Sequence, residues 1–371
     1  MRVTSLVDWD LAVATARRLM RPGPAVSPSE AADVVAELRA AVPIAQRHVS
    51  GYTGLHLPAG DAAAASAATV VDRVGWVQAN VTGFQVALEP LLEKLAARRG
   101  SPTGVVHAVG SRVTGFQVGA LMAYLASRVL GQYELFLPPG EGAGRLTLVA
   151  PNIVEVQRRL DVDPHDFRMW VALHETTHRT QFTAVPWLRA HFAAEVRAFL
   201  DASDLDAAAL RDRLRAVSGA ILDSLRNRRT GEPQPSVIEL IQTPAQRAAL
   251  TRLQALMSLL EGHGDFVMDN VAPDVVPSTP VIRERFDARR GGQGPVDRLI
   301  RRLFGLDLKM RQYAEGARFV RHVVGAVGMA GFNVVWRDPD ALPTAAEIAD
   351  PPSWLHRMRA ELATVATVDA G

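Results

Sequence analysis

His174-Glu175-Thr176-Thr177-His178 is a His-Glu-x-x-His string. On a helix, positions four apart share a face, so both imidazoles can reach one metal ion. Glu175, one residue along, is rotated off that face yet within reach of a metal-bound water, which it can deprotonate as general base. The chemistry requires a helix beneath the string, and the flanking residues predict one. Asp163 is a capping type, Pro164 suits the first helical position, and Asp166 places a further acid in the first turn. Phe167, Trp170, Val171, His174, His178 and Phe182 then recur at steps of three and four. The two histidines thus continue the apolar stripe.

Such a pair needs a third protein ligand. The chain has no cysteine, which leaves His, Asp or Glu. The best candidate segment is Leu260-Glu261-Gly262-His263-Gly264-Asp265. Leu253, Met257, Glu261 and Asp265 follow at i+4 along one side of an amphipathic helix. Carboxylates rarely continue an apolar stripe unless something offsets their desolvation, and a divalent cation would do so for Glu261. Asp265, one turn on, would then accept the spare ring N–H of a metal-bound histidine. His263 is the rival ligand, set among Leu256, Leu259 and Val267 at helical spacing. The bland alternative is a helix that ends at the glycines with its acids solvated. Gly262 and Gly264 would also permit a close approach by another helix or a substrate.

A His-Glu-x-x-His followed by a distant Glu-x-x-x-Asp resembles the gluzincin branch of zinc metallopeptidases. Longer strings resemble something narrower. Val162-Asp163-Pro164-His165-Asp166-Phe167-Arg168-Met169-Trp170-Val171-Ala172-Leu173 leads into the motif, and Arg179-Thr180-Gln181-Phe182-Thr183-Ala184-Val185-Pro186-Trp187-Leu188-Arg189 follows it. With the Glu-Gly-His segment and Lys309-Met310-Arg311-Gln312-Tyr313, these resemble the zincin-like metallopeptidase type 2 family of actinobacteria, some of whose members carry a label linking them to deazaflavin-coenzyme biosynthesis. Val7-Asp8-Trp9-Asp10 and Val71-Asp72-Arg73-Val74-Gly75-Trp76 extend the resemblance over nearly the whole chain. It implies a zincin-like fold and one Zn2+ per chain. The step from position 178 to 261, 83 residues, is longer than gluzincins commonly use. Zincins also supply a Tyr, His or Arg that donates to the developing oxyanion. Tyr313 is the first candidate, on a helical stripe with Met310, Ala317, Val320 and Val324; His263 and Arg311 are the others. A core tyrosine bonded to a backbone carbonyl explains the same stripe.

Composition bounds the remaining possibilities. With 371 residues, 48% of them hydrophobic, the chain can bury a sizeable core. The formal charge is +2, from 41 basic and 39 acidic residues, so no strongly charged partner is implied. Arg283, Arg285, Arg289, Arg290, Arg298, Arg301 and Arg302 cluster around a Gly291-Gly292-Gln293-Gly294-Pro295 break, a candidate lid, but lack interleaved aromatics. A solvated helix face accounts for them better than a nucleic-acid surface. The first twenty residues lack the pattern of a signal peptide, and the most apolar window, Val323 to Trp336, is too short to span a bilayer. The expectation is a cytoplasmic protein with no nucleic-acid or membrane partner.

Ala- and Leu-rich segments predict helices near 8–20, 28–47, 61–72, 76–99 and 115–130. Tyr133–Leu137 and Arg145–Ala150, flanking a Pro- and Gly-rich turn, predict a β-hairpin just before the metal-site helix. Its edge would either pair with an extended peptide, as in zincins, or simply pack. Gly231-Glu232-Pro233-Gln234-Pro235 marks a surface loop. The expected fold is α+β and predominantly helical, with an N-terminal helical region over 1–130 packed on a zincin-like core over 131–371. The expected function is zinc-dependent hydrolysis of a peptide or small-molecule amide. Zinc on His174, His178 and Glu261 would polarise the carbonyl, with Glu175 as base. Two other readings stand beside it: a non-catalytic scaffold that keeps a structural metal and binds a partner, and a hydrolase of a non-peptide amide or ester.

Overall fold

The computed structural model describes residues 7–58, 67–99, 105–142, 144–202, 243–291 and 306–368. In chain order the elements are α1 (Trp9–Leu19), α2 (Pro28–Thr53), β1 (Ala68–Val71), α3 (Arg73–Arg99), α4 (Val105–Ala126), β2 (Gly131–Glu134), β3 (Arg145–Val149), α5 (Ala150–Leu160), α6 (Pro164–Ala184), α7 (Leu188–Asp201), α8 (Pro244–Val275), α9 (Thr279–Gly291) and α10 (Leu306–Phe332). Two 3-10 turns, Asn333–Trp336 and Pro339–Ala341, precede the short helices α11 (Ala345–Ala349), α12 (Pro351–Arg357) and α13 (Arg359–Val368). The fold is α+β and predominantly helical, as the periodicity predicts.

The predicted hairpin forms, with Gly131 opposite Leu148 and Glu134 opposite Arg145 in an antiparallel pair. A third strand was not anticipated. Ala68–Val71 lies parallel to β3, from Ala68 beside Leu146 to Val71 beside Val149, where sequence reading expects the end of a helix over 61–72. Thr69, Val70 and Val71 carry β-branched side chains that suit a pleated surface, and β3 supplies the partner edge that no local pattern reveals. Residues 59–66 of that segment lie outside the described residues. The strand order is β1-β3-β2, which leaves β2 at an edge.

The chain divides into two compact units: residues 1–186 with 263–293, and residues 187–262 with 294–371. In the first, α6 runs through the middle. Asp163 caps it by accepting from the Asp166 N–H at 2.9 Å, and Pro164 occupies its first turn. Burial then extends almost all round it, from Phe167 to Gln181, the mark of a helix enclosed by its neighbours rather than laid on a surface. Val34, Leu38 and Val42 of α2, Leu146 and Leu148 of β3, Ile153 of α5, Val267 and Val271 of α8 and Ile282 of α9 join Phe167 and Leu173 in one core. Trp76, Val77, Met122 and Ala126 build a smaller one from α3 and α4.

In the second unit, Gly262 of α8 meets Gly316 of α10. A methyl group on Gly316 would stand 1.9 Å from the Ser258 carbonyl oxygen, and one on Gly262 would stand 2.2 Å from the Gly316 carbonyl carbon. Both obstacles are backbone and cannot rotate aside. Gly262, read from sequence as a permissive position, is thus a helix-crossing point. Gly316→Ala is expected to lower stability by at least the roughly 1–3 kcal/mol typical of overpacking. An unchanged urea midpoint would refute the close crossing.

The segment Ala314–Trp336 is long and apolar enough to cross a membrane by length and composition, and 44% of its apolar window is buried within the protein. It is longer than the Val323–Trp336 window of the sequence because the helix starts further upstream. Phe319, Val320, Val323 and Phe332 along it are all fully buried. Phe319 stacks edge-on against Trp354 at 5.8 Å, and Trp354 Nε1 donates to the Ala341 carbonyl at 2.9 Å.

Candidate metal centre

The two histidines converge. His174 Nε2 and His178 Nε2 are 3.2 Å apart, with their rings perpendicular and their centroids 4.7 Å apart. Two nitrogens bound at about 2.0–2.1 Å to a tetrahedral ion would lie about 3.3–3.4 Å apart, so the pair is already spaced for one cation. Glu261 on α8 joins them: one ligand atom from each of His174, His178 and Glu261 falls within 4.8 Å of the others. All three are half-buried, as a site reached from solvent requires. The two-nitrogen, one-oxygen donor set fits zinc and other divalent transition metals.

Helix α8 corrects the sequence reading of its faces. Leu256, Leu259, His263 and Val267 form the fully buried line, whereas Leu253, Met257, Glu261 and Asp265 are all half-buried. What reads from sequence as an apolar stripe interrupted by acids is the side of the helix nearer solvent. A carboxylate there loses less hydration than one in the core.

The remaining predicted residues fall in different places. Asp265 pairs with Arg283 at 3.5 Å, and Arg283 also donates to the Asp265 carbonyl at 3.0 Å and pairs with Asp269 at 2.5 Å. The nitrogen of His178 turned away from His174, Nδ1, lies instead 3.0 Å from Gln181 Oε1. His263, expected among the oxyanion donors, is fully buried, and its Nδ1 lies 2.9 Å from Gln181 Nε2. Burial, reinforced by the electrostatic effect of the neighbouring His178 ring, pulls the His263 imidazole down to about 3, so it stays neutral. A ring with no exposed surface does not meet a substrate; His263 backs the centre from the core. The side chains of Tyr313 and Arg311 on α10, like the 231–235 loop and the 292–295 break, lie outside the described residues.

Glu175 is buried against Gly131, the first residue of β2. A methyl group on Gly131 would stand 2.7 Å from Glu175 Cγ and Cδ and 3.0 Å from Oε1, so only glycine leaves room for this carboxylate in its present place. Next to the motif, burial pulls the Arg179 guanidinium down to about 10, an effect opposed by Tyr133. Arg179 donates to Gln46 Oε1 of α2 through Nε at 3.1 Å and Nη2 at 2.6 Å. Gln46 in turn donates to Thr180 at 3.0 Å, which ties α2 to the turn of α6 that carries His178. Sequence reasoning did not single out Gln181, Gly131 or Gln46. Gln181, three residues beyond His178 on the same helical face, was the most visible of them.

A family model for zincin-like metallopeptidases matches residues 7–355. The chain belongs to that family. Membership implies a zinc or other divalent metal, and His174, His178 and Glu261 are a group of residues that could hold one. Among solved structures, this zincin-like chain is similar to a protein of Chloroflexus aurantiacus titled "Crystal structure of a putative hydrolase with a novel fold". The two share 32% sequence identity and a TM-score of 0.67, over 95% of this chain and 99% of the other. No match is found among curated proteins.

Proposed function

We propose that the protein is a zinc-dependent hydrolase of amide bonds, most simply a peptidase. The observation that carries this reading is the 3.2 Å approach of two histidine Nε2 atoms beside a carboxylate, with a second carboxylate, Glu175, one residue from the first histidine. His174, His178 and Glu261 would hold the ion, leaving further coordination positions to water and substrate. When bound, the ion would supply Lewis acidity toward the scissile carbonyl and lower the pKa of water toward ~7.

Glu175 would take one proton from the attacking water as its oxygen bonds to the carbonyl carbon. It would then pass that proton to the departing nitrogen as the C–N bond breaks, ending as it began. A base with this duty must keep its place, and Glu175 occupies the space beside Gly131 that a Cβ there would fill. Gly131→Ala should therefore lower turnover by on the order of 10²-fold, the scale of an ångström-sized misplacement, while zinc content stays at the parent level. Parent-like turnover in that variant would remove the positional requirement. The edge strand β2, which begins beside Glu175, is the natural place for an extended substrate to add a strand.

The test of the ligand set is Glu261→Ala against Asp265→Asn. The first should weaken zinc binding by more than the roughly 100-fold that outer partners reach. The second should leave affinity near the parent value, because Asp265 is engaged by Arg283. Competition with a chromogenic chelator reads both. Unchanged affinity in Glu261→Ala would exclude the His-His-Glu set.

A further inference from the structure

Gln181 is fully buried, and each end of its amide meets an imidazole: Oε1 lies 3.0 Å from His178 Nδ1, and Nε2 lies 2.9 Å from His263 Nδ1. An amide oxygen can only accept and an amide nitrogen can only donate. In this arrangement the ring proton of His178 therefore sits on Nδ1, and that of His263 sits away from its own Nδ1. A neutral imidazole carries one ring proton, so His178 Nε2, the atom 3.2 Å from His174 Nε2, keeps its lone pair. The chain His178–Gln181–His263 has one other self-consistent arrangement, with the amide reversed and both ring protons moved. That alternative would place a proton on His178 Nε2 and block it as a ligand.

We infer that Gln181 is a positioning residue of the metal centre, holding His178 in the tautomer and ring orientation that present Nε2 to the ion. Metal-binding histidines generally donate their second ring N–H to an outer partner, most often a carboxylate or a backbone carbonyl. Here the partner is a core amide whose far end is held by a buried histidine. His263, which has no surface from which to touch substrate, acquires a role as the support of that amide.

This inference rests on the metal-site reading above, and the experiment separates the two. Zinc affinity is compared among the parent, Gln181→Leu, which removes the acceptor, and Gln181→Glu, which retains one. Long-range proton–nitrogen spectra of the metal-free parent, with the His178 signals assigned by their loss in His178→Ala, report which ring nitrogen carries the proton. The expected results are an Nδ1–H tautomer for His178 in the parent, zinc affinity lowered about 10- to 100-fold in Gln181→Leu, and affinity near the parent in Gln181→Glu. An Nε2–H tautomer in the parent, or parent-like zinc affinity in Gln181→Leu, overturns the inference. Should Gln181→Leu fail to fold, the parent spectrum and Gln181→Glu still decide: loss of affinity in a folded Gln181→Glu also overturns it. A parent that binds no zinc overturns the metal reading instead, and the tautomer is still read because that spectrum needs no metal.

Discussion

Replacing His174 or His178 with alanine is expected to abolish stoichiometric zinc binding. The parent should carry about one equivalent. Each substitution removes one of the three proposed ligands, and the two imidazoles converge, their Nε2 atoms 3.2 Å apart. Among the described residues neither nearby candidate can replace them: His263 lies in the core with its Nδ1 against Gln181, and Asp265 is paired with Arg283. Metal affinity at such a site is set by the number of correctly placed, deprotonated ligands, so the loss should be near total rather than graded. Elemental analysis of the purified variants is decisive, and undiminished zinc in both would exclude the site. Because the ligands lie on the half-buried side of α6 and α8, the apo variants should still fold on the packing of Phe167, Leu173, Val267 and their neighbours.

Glu175→Gln should lower hydrolytic turnover by on the order of 10²-fold or more while leaving zinc content and melting temperature nearly unchanged. Glutamine keeps the volume and can still hydrogen-bond, but it cannot take a proton at neutral pH. Glu175 packs closely on Gly131, and an isosteric side chain fills the same space. Turnover equal to the parent's would show that Glu175 is not the base. That outcome, with zinc retained, would favour a metal that serves structure alone. Together with Gly131→Ala, the experiment distinguishes the chemistry of the carboxylate from its placement: one variant removes the base in place, the other keeps the base and moves it.

The metal-site helix was readable in advance because its determinants are local. A capping Asp163, a first-turn Pro164 and a three- and four-residue apolar rhythm each act within a turn or two of chain, and the structure shows the helix they predict over Pro164–Ala184. The β2–β3 hairpin was legible for the same reason, its two strands being separated by a short turn-rich segment. β1 was not, because its partner β3 lies more than seventy residues away and Ala-rich sequence upstream suggests helix. Strand pairing at that distance leaves no local trace beyond three β-branched residues.

For the site, the residue types alone determined that His174 and His178 share a helical face and that, without cysteine, any third ligand would be a histidine or a carboxylate. Only the tertiary structure brings Glu261 to them and sends His263, two residues on, into the core. Two residues apart on a helix means nearly opposite sides, and which side faces the histidines depends on how α8 is rotated about its own axis. Periodicity cannot set that rotation here, because α8 is enclosed on several sides and its apolar residues cover most of its circumference. The same holds for the partner of His178. Asp265 was the reasonable choice by charge, yet packing turns it to Arg283 and leaves the buried amide of Gln181 against the ring. Contacts that depend on one helix's rotation against another are properties of the assembled core, where side chains from distant segments compete for the same space.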